Sequence, residues 1–289
     1  MLAMGYGYAN LKGKEKLMST YVKHFDTVSE VLAATKGASF SGGWYGNVTS
    51  TQAREYSLSG YAPLMTKAEE IFDKVSEAAI SLPAMVHTPD VWGQRLNMGE
   101  WLAGSPTCFR RKKRSTQEIS PMKILVCTTC SGGVDADDMI ARGAAILAFL
   151  MKLQTIRPVD LYLSSELGNS SRGHSCLATV RIESRPLNLA SASFAIGHVG
   201  FSRGFLYQYA SENQKSGGNW PSSDDCMFSY SSGASSRYIT QLANHLDFNP
   251  ETDMYIPSLQ LNDKLVNSPV EWINSQLAKY AGDGMELGD

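Results

Sequence analysis

The sequence predicts an α/β fold, a Rossmann-like three-layer sandwich with a central, mostly parallel sheet, extended at the N-terminus by helices. Residues 123–128 form a short, nearly continuous apolar run, which is typical of a strand covered on both faces. Residues 135–154 carry apolar side chains at helical spacing, and residues 159–164 form a second apolar run. A strand, a helix of this length and another strand indicate a β–α–β unit.

Residues 1–106 are predicted to be mainly helical. One helix can be capped by Thr49 or Ser50, whose hydroxyls accept from the first free backbone N–H groups. In the strongest amphipathic pattern, Thr66 and Glu69 fit a capping box. These helices are expected at residues 29–34, 49–58 and 66–81.

Residues 107–121 are predicted to connect this region to the α/β domain. They contain the only long charge run in the chain, residues 109–114, with the sequence FRRKKR. A run of this kind is most often a solvated linker or surface loop. A contact with phosphates or nucleic acid is the competing interpretation.

The α/β domain is predicted to span residues 122–281, leaving a frayed tail at 282–289. Gly143 lies in the apolar stripe of the long helix, where glycine costs about 1 kcal/mol relative to alanine. We therefore expect close packing of this glycine against a strand. The remaining elements are expected as strands at 177–183 and 254–259, helices at 237–246 and 269–280, and helical or mixed segments at 189–197 and 204–209.

Composition limits the classes of function. Hydrophobic residues make up 43% and charged residues 19% of the 289 residues, as in ordinary globular proteins. The net charge of -2 lacks the basic surplus of a dedicated nucleic-acid or acidic-membrane binder. Five cysteines, an odd number, argue against a disulfide scaffold. Neither a signal peptide nor an apolar stretch of about 20 residues is visible, so a cytoplasmic protein is expected.

The pair Cys127 and Cys130 forms a C-x-x-C motif. A redox pair needs one cysteine exposed at a helix start, and a zinc site needs a second ligand pair at a suitable spacing. Here the first cysteine falls within the strand and no second pair follows, so we interpret both as small residues packed at a strand end. The next residues, Ser131-Gly132-Gly133, can present N–H groups to an anion, but they match neither a P-loop nor a dinucleotide fingerprint.

The histidines and aspartates give weak signals for a site. No two of the five histidines are three or four residues apart, so the sequence contains no helical metal pair. His174 is the best candidate for surface chemistry, whereas His198 follows an apolar helix and is expected to be packed or capping. Three aspartates could ligate a metal, but their place at a helix start favours capping and interaction with the helix dipole. They are Asp135, Asp137 and Asp138.

The run ILVCTTCSGGVDADDMIARGAAILAFLMKL, followed by VDLYLSS, resembles the first strand, site loop, first helix and second strand of a von Willebrand factor A domain. It resembles more closely a group of uncharacterised bacteriophage proteins with such a core. The shared features are residues 142–146 (RGAAI), 101–106 (WLAGSP), 255–259 (YIPSL) and 269–273 (PVEWI).

This resemblance implies a degenerate metal site. Metal-binding A domains end the first strand with Asp-x-Ser-x-Ser, and the better register places Cys127, Thr129 and Ser131 on those positions. Both hydroxyls are kept and the carboxylate is lost; a shift to Thr129, Ser131 and Gly133 fits worse. Hard cations prefer oxygen ligands that include carboxylates. Weak Mg²⁺ binding at most is expected, unless Asp135 or a distant carboxylate compensates.

The resemblance also implies a non-enzymatic phage accessory protein, an adaptor in the host cell cytoplasm. Its partner-binding edge would be the loop with Cys127, Thr129, Ser131, Gly133 and Asp135, because ligands of such sheets bind at the carboxyl ends of strands. A-domain proteins often act as adaptors, and some resemble partners of AAA+ ATPases, so a protein partner is expected, with an AAA+ ATPase as one candidate by analogy of fold.

Two alternatives remain open. Nucleic-acid binding would use the basic segment of Arg110, Arg111, Lys112, Lys113 and Arg114. An enzyme would use the Ser131 loop together with Cys130, although no general base is identifiable. No residue is assigned a catalytic role, and neither a membrane contact nor a cofactor beyond weak Mg²⁺ is expected.

Overall fold

The computed structural model describes residues 19–75, 85–93, 95–114, 121–130, 134–169, 174–182, 189–209, 227–228, 246–249, 251–259 and 263–282. The strands are β1 (Ser19–Phe25), β2 (Met85–Asp90), β3 (Arg95–Leu96), β4 (Phe109–Arg114), β5 (Met122–Cys127), β6 (Val159–Asn169), β7 (His174–Ile182), β8 (Met227–Phe228) and β9 (Met254–Ile256). The helices are α1 (Val28–Ala34), α2 (Ser50–Ser59), α3 (Ala62–Lys74), α4 (Met98–Leu102), α5 (Ala136–Gln154), α6 (Leu189–Gly197), α7 (Val199–Phe201), α8 (Lys264–Asn267) and α9 (Pro269–Gly282).

The large sheet confirms the predicted α/β class. Its strands run in the order β1-β7-β6-β5-β9, and β8 also pairs with β6. The pairs β1–β7, β5–β6 and β5–β9 are parallel, whereas β6 and β7 are antiparallel. Because α5 joins β5 to its parallel neighbour β6, the predicted β–α–β unit is confirmed.

Strand β5 is covered on both faces, as its apolar sequence predicts. Ile124 and Val126 belong to the main core, which includes residues of α3, α5, α6 and α9. Leu125, on the opposite face, packs in a second cluster with Phe248. Among the described residues, no helix is both long and apolar enough to cross a bilayer.

The N-terminal helices form with one change of position. Thr49 caps α2, because its side chain accepts a hydrogen bond from the backbone N–H of Gln52. The Gln52 side-chain oxygen in turn accepts from the backbone N–H of Thr49. The expected capping box of Thr66 is wrong, because α3 begins four residues earlier with Pro63 in its first turn and ends at Lys74. Proline is pre-organised for a helix start, so it determines the beginning of α3.

No strand was expected where β1, β2, β3, β4 and β8 form. β1 pairs with β7 along its whole length, so the N-terminal region contributes an edge strand to the large sheet. The interpretation of residues 109–114 as a solvated loop is wrong, because β4 is the central strand of a small antiparallel sheet with the order β2-β4-β3. Backbone pairing with β2 over six residues outweighs the low strand preference of a charged run. Of the helix predicted at 237–246, only Leu246 lies among the described residues, and the domain boundaries stay predictions.

Gly143 packs against helices and not, as expected, against a strand. A Cβ atom at this position would lie 2.4 Å from the Cα of Gly197 on α6 and 2.9 Å from Leu64 Cδ1 on α3. Interiors are close-packed, so such an atom has no room unless the helices separate. The glycine pair therefore sets how closely α5 approaches α6.

His198 is a capping residue, as predicted. It precedes α7, and its Nδ1 accepts from the backbone N–H of Gly200 at 3.0 Å. Its ring stacks on Phe194 with 4.6 Å between centroids. Burial lowers the pKa of His198 from 6.5 to about 4, so the imidazole is neutral in the folded chain at neutral pH.

We expect Gly143→Ala to lower the free energy of unfolding by about 1–3 kcal/mol, because overpacking between α5 and α6 exceeds the gain in helix propensity. Gly37→Ala is the matched control, since a Cβ atom at Gly37 meets nothing within 4 Å. Urea denaturation measures both variants, and equal stability of the two would contradict the close approach.

The burial of neutral His198 should make stability depend on pH. Between about pH 6.5 and about 4 the unfolded chain binds a proton that the folded chain does not, so the free energy of unfolding falls as the pH falls. The full contribution is about 3 kcal/mol, present above the unfolded pKa. His198→Asn keeps a capping oxygen and removes the titration. Urea denaturation at pH 7 and 4.5 should show a smaller loss in the variant; parallel pH profiles would refute the assignment.

Candidate functional site

The carboxyl end of β5 is held by a buried arginine. The Arg142 side chain comes from α5 and is 0% exposed. Its Nη2 donates to the carbonyl oxygen of Cys127 at 3.0 Å and to that of Pro257 at 2.6 Å. Because Pro257 directly follows β9, this one guanidinium ties the ends of two neighbouring parallel strands together.

A second buried arginine holds the chain beyond β5. Arg203 Nη2 lies 3.3 Å from Cys130 Sγ and donates to the Val134 carbonyl at 3.5 Å. Its Nη1 donates to the Trp44 carbonyl at 3.0 Å. The segment therefore has hydrogen bonds to guanidinium groups on both sides of residues 131–133.

Two buried guanidinium groups and the charge of Asp263, which acts on Arg142, determine the electrostatics of this strand end. Burial lowers the pKa of Arg142, and its Nε and Nη1 atoms have no hydrogen-bond partner among the described residues. Burial also raises the pKa of the Cys130 thiol, an effect that the nearby Arg203 and Arg142 charges oppose. The described residues contain no group of three His, Cys, Asp or Glu side chains that could hold a metal ion.

The structure places the predicted edge residues in different environments. Cys127 and Thr129 are both 0% exposed, so a docking partner could not touch them in this conformation. Asp135 is exposed at the N-cap position of α5, but its side chain accepts no capping hydrogen bond. Ser131 and Gly133 lie outside the described residues. Cys127 and Cys130 are both buried, in line with their interpretation as packed residues.

The remaining candidates add little to this site. Asp137 and Asp138 are exposed in the first turn of α5, where carboxylates interact favourably with the helix dipole. His174 begins β7, and its side chain lies outside the described part of the chain.

The small sheet is built by a chain that crosses over its central strand. β2 and β3 both pair antiparallel with β4 from opposite sides, so the chain passes across β4 near Gly93. A Cβ atom at Gly93 would lie 2.5 Å from the Arg110 carbonyl oxygen, which shows how closely this crossing approaches the strand. Only glycine fits such a contact between two backbones.

Two arginines of β4 make ion pairs on this sheet. Arg110 bonds Glu100 of α4 at 2.7 Å, and Arg111 lies 3.8 Å from Asp90. The Arg111 guanidinium also stacks over the Trp92 ring, 4.0 Å from its centroid. The side chains of residues 112–114 lie outside the described part, but successive residues of a strand fall on alternate faces.

Exposed apolar side chains concentrate around this sheet. Six of the eight exposed large hydrophobic residues in the described part of the chain fall within residues 91–102. Single exposed apolar residues are ordinary, whereas a concentration of them beside charged residues marks interaction surfaces. They are Val91, Trp92, Leu96, Met98, Trp101 and Leu102.

Charge is also unevenly distributed. Residues 85–114 contain six basic and two acidic residues, which gives a net charge of +4. Since the whole chain has a net charge of -2, the rest of it carries -6. The segment that builds the small sheet is therefore basic in an otherwise acidic chain, and the low overall charge concealed this.

Sequence reasoning missed the roles of four residues. Arg142 was noticed only as part of a shared motif, although a charged residue among the apolar neighbours of a buried helix face is itself a signal for a buried contact. Arg203 carried no comparable signal. Trp92 and Trp101 lie within twenty residues of the basic run, and an aromatic–basic pattern of this kind is typical of binding surfaces.

We expect Mg²⁺ to leave the stability of the chain unchanged, because two guanidinium groups raise the local potential and Cys127 offers no carboxylate. Thermal unfolding with about 10 mM MgCl2, compared with NaCl at equal ionic strength, measures this, since a bound ion would stabilise the folded state by mass action. A saturable rise in Tm with Mg²⁺ would contradict the cationic character of the strand end.

Comparisons with known proteins identify a family. A family model described as "Domain of unknown function (DUF7192)" matches residues 10–280. Neither the curated proteins nor the solved structures contain a match to the chain. Because the family match covers most of the sequence, the chain belongs to the DUF7192 family.

Proposed function

We propose that this chain is a non-enzymatic adaptor that binds a protein partner through its small sheet. The observation that carries the proposal is the concentration of exposed Trp92, Trp101 and four aliphatic or Met side chains beside basic β4. Tryptophan and arginine dominate the residues that carry binding energy at protein interfaces. Dehydrating these apolar side chains would favour association.

The strand end of β5 is a weaker candidate for the interface. Cys127 and Thr129 are buried there, and Arg142 uses its hydrogen bonds to join β5 and β9. A partner could contact exposed Asp135 at this edge, but the described residues around it offer no apolar anchor comparable to Trp92. In this proposal the strand end supports the fold and the small sheet makes the contact.

The proposed biological setting rests on a resemblance of sequence. The resemblance of residues 124–153 to a von Willebrand factor A domain, and to phage proteins with such a core, supports an accessory role in the cytoplasm of an infected host cell. The parallel β5–β6 pair with α5 between them is compatible with that core. An AAA+ ATPase is the first partner to test, on the analogy with A-domain adaptors.

The chemistry of Cys130 argues against catalysis by a cysteine nucleophile. A cysteine nucleophile needs a lowered pKa, and burial raises that of Cys130. His198 is committed to capping α7 and stacks on Phe194, so it does not serve as a base for this thiol.

Nucleic-acid binding is the second candidate, favoured by the basic run on β4 and by the exposed rings of Trp92 and Trp101. Bases stack on aromatic side chains, and lysine and arginine neutralise phosphates. Against it, Glu100 and Asp90 already pair with Arg110 and Arg111. Four of the six exposed apolar residues are aliphatic or Met and offer no stacking face.

A photo-crosslinking residue in place of Leu102 should capture a discrete protein partner in cells that produce the chain, whereas the same residue in place of Leu58 should not. Both positions are highly exposed, at 75% and 60%, but Leu58 lies on α2, which is not part of the small sheet. With the captured partner purified, Trp92→Ala and Trp101→Ala should each weaken binding at least tenfold by calorimetry, and Leu58→Ala should not.

Three outcomes would count against this assignment. Equal capture at both positions would show that the contact is not specific to the small sheet. Unchanged affinity of both tryptophan variants would remove the proposed anchors. Capture of nucleic acid instead of protein, lost when Lys112 and Lys113 are replaced by alanine, would favour the second candidate.

A further inference from the structure

We infer that β4 accepts an extended acidic peptide segment of the partner as an additional strand along residues 111–114. This inference rests on the proposed function and names the form that the partner takes at that surface. It differs from docking onto the tryptophans alone, because backbone hydrogen bonds would carry much of the affinity.

The first argument is an incomplete ladder. On one side, β2 pairs with β4 over all six residues, from Asp90 opposite Phe109 to Met85 opposite Arg114. On the other side, β3 pairs only with Phe109 and Arg110. Within the described part of the chain, the edge of β4 from residue 111 to residue 114 therefore has no strand beside it.

The second argument concerns the backbone groups at this edge. In an antiparallel ladder, alternate residues direct both their N–H and C=O groups to the same neighbour. About two of the four residues at 111–114 therefore direct their groups away from β2, towards the open side. A strand edge with no neighbouring strand is a template for a further strand, and many domains bind peptides by such strand addition.

The third argument is charge, which selects among peptides. All four residues of this edge, with the sequence RKKR, are basic, and Arg95 is exposed on the short neighbouring strand β3. Asp90 of β2, on the paired side of β4, lies 3.8 Å from Arg111, so a carboxylate on a neighbouring strand already pairs with this basic run. An entering strand with glutamate or aspartate at alternate positions would extend that pattern and disfavour a basic segment.

The fourth argument separates a peptide from a nucleic acid. Unpaired N–H and C=O groups alternate along a strand edge, and only another peptide backbone offers donors and acceptors with the same repeat. Phosphates would accept from the N–H groups and leave the C=O groups without donors. Exposed Leu96, at the end of β3, would pack against an apolar side chain of the added strand.

The test uses the full chain and three fluorescein-labelled octapeptides measured by fluorescence anisotropy. The first alternates glutamate and threonine, the second has the same sequence with alternate backbone nitrogens methylated, and the third has lysine in place of glutamate. The first should bind saturably, the second at least tenfold more weakly because methylation removes donors, and the third not at all. An oligo(dT) octamer provides the nucleic-acid arm.

Matched variants locate the contact. Lys113→Glu should weaken binding of the first peptide at least tenfold, whereas Lys67→Glu, an exposed charge reversal on α3, should leave it unchanged. The peptide comparison uses the wild-type chain, so the inference stays falsifiable even if Lys113→Glu fails to fold.

Each result has a distinct consequence. Equal binding of the methylated peptide would reduce the contact to charge attraction and overturn strand addition. Tighter binding of oligo(dT) than of the acidic peptide would overturn it in favour of nucleic acid. Failure of the acidic peptide, with the natural partner still lost on Trp92→Ala, would end this inference and leave the adaptor function standing. If the acidic peptide fails to bind and Trp92→Ala leaves binding of the natural partner unchanged, both the strand addition and the adaptor function are wrong.

Discussion

The proposed location of the binding surface depends on one contact, that of the buried Arg142 guanidinium. An arginine is rarely fully buried without an acidic partner, because removing its charge from water costs several kcal/mol. Here its charge is compensated by the carbonyl groups of Cys127, which ends β5, and Pro257, which follows β9, and by the nearby charge of Asp263. At its described residues, the edge at which ligands of parallel sheets usually bind is therefore an internal contact. We accordingly propose the small sheet as the binding surface.

The position of this contact follows from helix packing. Gly143 follows Arg142 on α5 and lets the helix approach Gly197 of α6 to backbone contact. The helix is thereby fixed over β5, and its arginine reaches back towards the strand ends, as helical side chains do. Glycine is unfavourable in the interior of a helix, but the tertiary contact outweighs this cost.

Local signals predicted the parts of the fold that local chemistry determines. Residues close in sequence determine the apolar run of β5, the apolar stripe of α5 and the cap of Thr49, and the structure contains all three. β4 could not be predicted in this way, because its pairing with β2 joins residues such as Arg114 and Met85 that lie far apart in sequence. The same limit applies to the site: the burial of Cys127 and Thr129 depends on contacts that α5 and the sheet make only after folding.

Amide hydrogen exchange of the full chain, alone and with its captured protein partner, tests most directly where the partner binds. Exchange slows where backbone N–H groups become paired or buried. The account predicts slower exchange in peptides that cover residues 91–114 and no change in those that cover 122–130. Protection confined to 122–138, with residues 91–114 unaffected, would contradict it and return the interface to the strand end.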